Sequence, residues 1–140
     1  MYPRTIESRL ARCTLCALAV YMPLETWFSL PALWDPFYLV DLIAMVLLYV
    51  GARRSLRATP APAPGMLAAG FAWTGANAWR AFWGRAAAVA DGGTLTYGFT
   101  ELSIVGVGTA LALGALAVSL FLVARAEHAD VGRTSAMPVR

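Results

Sequence analysis

Glu25, Asp41, Arg80 and Glu101 are ionisable side chains set in, or at the ends of, four separate apolar segments. A charge near the centre of a bilayer costs about 2.5 to 3.5 kcal/mol on insertion scales, so such residues face one another or a wet cavity and mark a functional site. Arginine is the natural centre of such a group. Its planar guanidinium holds two carboxylates at once and keeps its charge. Three carboxylates against one arginine leave negative charge over, and a desolvated surplus carboxylate either takes a proton or binds a cation. Arg85 adds compensating charge from the outer rim.

Helical spacing groups further residues with these charges, because positions three and four apart share a face. Tyr21, Glu25 and Phe28 align on the first segment, Tyr38, Asp41, Met45 and Tyr49 on the second, and Trp73, Asn77, Arg80 and Gly84 on the third. These stripes are expected to meet in a pocket whose ligand-binding residues are Glu25, Asp41, Arg80, Asn77, Trp73, Tyr38 and Tyr21, with Glu101 at its outer mouth. Were the protein an enzyme, Glu25 and Asp41 would be its catalytic groups. The structural alternative is that Arg80, Glu25 and Asp41 neutralise one another and fix helix register without a ligand. Pro23, two residues before Glu25, removes a backbone donor and is expected to kink or open the helix, although membrane helices also tolerate proline. Trp27 and Trp73 have two readings, as rings around a bound cation or as interfacial anchors. Trp79 and Trp83 share a face away from Asn77 and read as anchors.

The elements that position these residues follow from hydropathy. At 140 residues, 59% hydrophobic and 14% charged, the chain is too apolar for an ordinary soluble domain. Apolar stretches at about 13–30, 37–52, 65–88 and 101–124 each approach the roughly 17 to 25 residues that span hydrocarbon. The expectation is an all-α integral membrane four-helix bundle, antiparallel and up-down, followed by a flexible cytoplasmic tail over 126–140. Arg4, Arg9 and Arg12 precede the first segment, Arg53, Arg54 and Arg57 follow the second, and Arg125, Arg133 and Arg140 follow the fourth; 31–36 and 89–100 contain no basic residue. The positive-inside bias then puts both termini and the 53–64 loop in the cytoplasm, as in a multi-pass protein of a bacterial inner membrane. Depths agree with this arrangement. At 1.5 Å per residue, Glu25 lies about 18 Å beyond the cytoplasmic entry of its helix, Asp41 about 18 Å from Arg53, and Arg80 about 21 Å from Met66. Pro23, Leu24, Glu25, Thr26 and Trp27 stand where a signal peptide would have small residues for cleavage, which reads as an uncleaved first helix.

The connections are less informative. Residues 31–36 are short enough to force a hairpin, with Trp34 and Tyr38 at the interface. Pro60, Pro62 and Pro64 alternate with alanine in a stiff spacer. The glycine-rich 91–99 segment is a lid or an inert connector. On the fourth segment Gly106, Ala110 and Gly114 recur at four-residue spacing, with Gly108, Ala112 and Ala115 beside them, a pattern for internal packing or for a homo-oligomer. Cys13 and Cys16 form a C-x-x-C at the reducing end of a helix with no second pair, a poor setting for redox chemistry or metal binding. His128 is placed outside the membrane. All eleven basic residues are arginine, so the net charge of +3 reflects coding bias and argues for no nucleic-acid partner. There is no Gly-rich phosphate loop, no Ser-His-Asp set and no histidine pair for haem, and neither cofactor nor metal is expected.

Four helices with intramembrane acids and aromatics resemble, in architecture, the emopamil-binding and sigma-2 receptor group, although the histidine of its sterol isomerases has no counterpart in these segments. Pro23, Leu24 and Glu25 resemble the proline-x-glutamate element of small membrane lycopene cyclases, with Thr26 in place of its second glutamate. Three functions are consistent with the residues. The first is an outward-facing acidic and aromatic pocket that binds or transports a cationic or amphipathic small molecule, in contact with membrane lipid. The second is a membrane-embedded isomerase or cyclase using a carboxyl acid on an isoprenoid or lipid. The third is an accessory subunit of a larger membrane complex.

Overall fold

The computed structural model describes residues 3–30, 36–57, 64–95 and 98–134, and among these it is all-helical: α1 (Pro3–Ser29), α2 (Pro36–Leu56), α3 (Pro64–Ala90) and α4 (Phe99–Thr134). Trp34, Pro60, Pro62, the side chain of Phe28 and residues 135–140 lie outside the described residues. Proline opens three of the four helices, at the position where its missing N–H is no loss and its fixed φ suits the first turn. Glu101 sits in the first turn of α4 and Arg53 and Arg54 in the last turn of α2, where each sign of charge complements the helix dipole.

The helices run beyond the apolar stretches. α1 begins ten residues before Cys13, and α4 continues through Thr134, so the segment expected to be a flexible tail from 126 is helical up to that point. Ala126 and Glu127 favour helix, and the single Gly132 costs only about 1 kcal/mol relative to alanine. Pro23 lies inside α1, which continues past it. α3 stops in a Schellman cap: the N–H of Gly93 donates to the carbonyl of Ala88 at 2.8 Å and that of Gly92 to Val89 at 3.0 Å. Gly92 takes the left-handed conformation this requires, with φ 82°.

Packing is concentrated at one end. Ala11 and Leu18 of α1, Met45, Leu48 and Ala52 of α2, and Leu67 and Phe71 of α3 form the core, with Ala115 and Leu116 of α4 packed against them. Two glycines bring α2 and α3 together: a Cβ on Gly51 would lie 2.8 Å from the backbone N of Leu67, and one on Gly70 would lie 2.8 Å from Leu48. Partner numbers fall along α2 as they rise along α3, from Gly51 with Leu67 to Leu48 with Gly70 to Val40 with Trp73. The buried hydroxyls of Thr14, Thr109 and Ser119 donate to carbonyls four residues back, which removes the cost of burying them.

The other half is open. Among the described residues nothing in α1 beyond Leu18, in α2 before Ala44, in α3 beyond Gly75 or in α4 before Thr109 is buried. α4 is the one described helix long and apolar enough to cross a membrane by length and composition, over Phe99–His128. The other described helices carry the ionisable and polar residues that interrupt their hydropathy, Glu25, Asp41, Asn77 and Arg80 among them.

Candidate functional site

Seven of the eight sequence-predicted site residues fall in the open half, Trp73 lies at its edge between the buried Phe71 and Gly75, and the described interactions draw together two groups. The first spans α1 and α2. The Tyr21 hydroxyl lies within hydrogen-bonding reach of the Glu25 carboxyl group, and Asp41 acts electrostatically on Tyr21. Glu25 in turn acts on Asp41. Tyr21 and Glu25 are one helical turn apart, so α1 alone aligns them. Asp41 is brought to them by the pairing of α1 with α2. That pairing is fixed locally by Thr26 and Tyr38, whose hydroxyl oxygens are 3.2 Å apart across the two helices. Thr26 sits next to Glu25 and Tyr38 one turn before Asp41, so one hydrogen bond sets the relative position of the two carboxylates. Pro23 has no N–H for the carbonyl of Ala19, a further acceptor in the same stretch of α1.

The second group spans α3 and α4. Arg85 donates from Nε to Oε1 of Glu101 at 2.6 Å, with the two side chains 37% and 20% exposed, and Arg85 Nη1 donates to the carbonyl of Ala81 at 3.2 Å. Charge-assisted contacts this short are the stronger class of hydrogen bond. Glu101 is therefore engaged by Arg85.

Arg80 is exposed on α3, and Glu25 acts on Asp41 across α1 and α2. On the other side of α3, Gly75, Phe82 and Arg85 face α4, against Leu113, Gly106 and Glu101. Asn77 does share the α2-facing stripe with Trp73 by helical spacing. Its Nδ2 is buried with no hydrogen-bond partner among the described residues, a spare donor beside the acidic pair's side of the bundle. Trp73 is half exposed and donates from Nε1 to the carbonyl of Val40 at 3.1 Å, so it ties α3 to the helix that carries Asp41. Sequence reasoning missed Thr26 and this role of Trp73. A threonine one residue from Glu25, in an apolar segment, was the available signal for the former.

The aromatic and small residues also sort by face. Trp79 and Trp83 are both half exposed and stack edge-to-face at 5.6 Å, on the outside of α3. Gly106 is occupied internally, since its Cβ position lies 3.1 Å from Phe82. Ala110 is exposed and Gly114 opens onto free space, so the three small residues do not act as one internal seam. Cys13 and Cys16 are exposed and free, and no group of three potential metal ligands occurs among the described residues. Two shallow cavities lie away from the acidic pair. One of about 330 Å³ is bounded by Val89, Leu95, Phe99 and Leu102 near the 91–98 turn, and one of about 390 Å³ by Phe121, Ala124, Arg125 and His128.

Comparison with protein-family models, with curated proteins and with solved structures finds no match to this chain.

Proposed function

We propose that the protein is a small multi-pass membrane protein whose Tyr21, Glu25 and Asp41 form an intramembrane site that binds or transports a cationic or amphipathic small molecule. Several observations support the membrane reading. The protein exposes 9906 Å², against about 7,000 Å² for a compact soluble monomer of its 15.0 kDa. Among the described residues 23 large hydrophobic side chains are exposed and six are buried, an inversion that water would penalise and hydrocarbon would not. Only 22% of the apolar window of α4 is covered by the rest of the protein, unlike the core helix of a soluble fold. The falling and rising partner numbers of α2 and α3 support the antiparallel up-down order. The arginine distribution supports an inner membrane of a bacterium with both termini cytoplasmic.

The observation that carries the ligand class is the meeting of Glu25 with Asp41. Two carboxylates that act on each other away from bulk water need a counter-charge, either a proton or a ligand cation. The phenol of Tyr21 and the spare amide of Asn77 supply polar contacts, and the apolar open half around them suits an amphipathic body. Binding of tetraphenylphosphonium to the full chain in neutral-lipid nanodiscs, with empty discs subtracted, tests the reading. Loss of binding in Glu25→Gln and Asp41→Asn supports it, whereas wild-type binding with unchanged pH dependence in both variants overturns it.

A further inference from the structure

We propose that the C-terminal part of α4 carries a headgroup site for an anionic phospholipid, formed by Phe121, Arg125 and His128; the inference rests on the membrane placement proposed above. These residues recur at spacings of four and three and so share one face of the helix. The Arg125 guanidinium carbon sits 4.8 Å from the centroid of the Phe121 ring, a cation–π contact that holds the guanidinium in place while leaving its N–H edges to donate. Nδ1 of His128 is 2.7 Å from the carbonyl oxygen of Ala124. As donor in that contact, Nδ1 fixes the ring and turns Nε2 away from the backbone. The cavity of about 390 Å³ is bounded by these groups and the small Ala124, leaving room beside the guanidinium. Glu127 falls on another face of the helix.

Depth on α4 selects a lipid as the occupant. The apolar span Phe99–His128 has 30 residues and is about 44 Å long, which equals the roughly 40 to 45 Å thickness of a bilayer including its headgroup layers. His128 therefore lies at headgroup level, with Arg125 just beneath it and Phe121 about 10 Å in from His128, where acyl chains begin. The charge of this end selects an anionic lipid. Ala11 of α1 and Ala52 of α2 share one core with Ala115 and Leu116 of α4, so the exposed Arg9, Arg12, Arg53 and Arg54 belong to the same end of the bundle as Arg125. Each arginine near an anionic leaflet contributes about 1 kcal/mol of attraction.

The test is native mass spectrometry of the full chain released from nanodiscs of phosphatidylcholine with and without phosphatidylglycerol. Wild-type protein is expected to retain phosphatidylglycerol, and Arg125→Gln to retain about fivefold less. Arg125→Lys, which keeps the charge and loses the planar fork, is expected to fall between them. Equal retention in wild type and Arg125→Gln overturns the site, as does equal stabilisation by soluble glycerol phosphate in detergent, which would show a phosphate site without a lipid. Flotation with pure phosphatidylcholine vesicles separates this inference from its premise: failure to float overturns the membrane placement and the site with it, while flotation without selective retention overturns the site alone. A thermal scan of Arg125→Gln in phosphatidylcholine discs shows whether the variant is folded; Phe121→Leu, which removes the ring under the guanidinium, gives the same reading if it is not.

Discussion

Asp41 of α2 lies in the field of Glu25 of α1, and both act on Tyr21, so the acids of two helices that enter the open half in opposite sequence directions lie within electrostatic reach of each other. Their approach depends on how the first two helices pair. That dependence gives the residues around them measurable roles.

Thr26→Val and Tyr38→Phe each remove the hydroxyl contact that joins α1 to α2 near the acids. The expected loss of stability is about 1 kcal/mol for either change and little more for both together, since they remove the same bond. Cation affinity is expected to fall in both variants because the carboxylates lose their fixed spacing. Thermal unfolding in nanodiscs and cation titration on the same preparations check the two effects.

Arg85→Gln leaves Glu101 without its guanidinium partner at a position that is 20% exposed. A loss of about 1 to 3 kcal/mol is expected, larger than for an exposed ion pair and partly recovered when Glu101→Gln is added. A double-mutant cycle by thermal unfolding measures this. Cation binding is expected to change less in the double variant than in Glu25→Gln, because Arg85 and Glu101 join α3 to α4 and not α1 to α2.

Gly51→Ala places a methyl group 2.8 Å from the backbone of Leu67, which cannot move aside as a side chain would. The expected cost is about 1 to 3 kcal/mol. Gly114→Ala, which meets nothing within 4 Å, is expected to raise stability by up to about 1 kcal/mol, since alanine favours helix over glycine. Equal effects of the two changes would contradict the α2–α3 packing described above.

Much of this architecture was legible in the sequence. Four apolar segments separated by proline- or glycine-containing connections give four helices, and the pattern of three and four put Tyr21 beside Glu25, which acts on it. Pairing between helices was not legible, because hydropathy fixes which residues avoid water and says little about rotation about the helix axis. Gly75, Phe82 and Arg85 turn one side of α3 toward α4, which brings Arg85 to Glu101. The extent of α4 was missed for a related reason. The apolar run ends near Ala124, but helix propensity does not require apolar residues, and Ala126 and Glu127 carry the helix on.

The central claim is that Glu25 and Asp41 act as one cation site, and the most direct measurement is the tetraphenylphosphonium affinity of wild type, Glu25→Gln, Asp41→Asn and the double variant in neutral nanodiscs. Each single change is expected to weaken binding about tenfold or more, with the double variant little weaker than either, as for two charges that serve one ligand. Wild-type affinity in both single variants, or losses that simply add, would contradict a shared site.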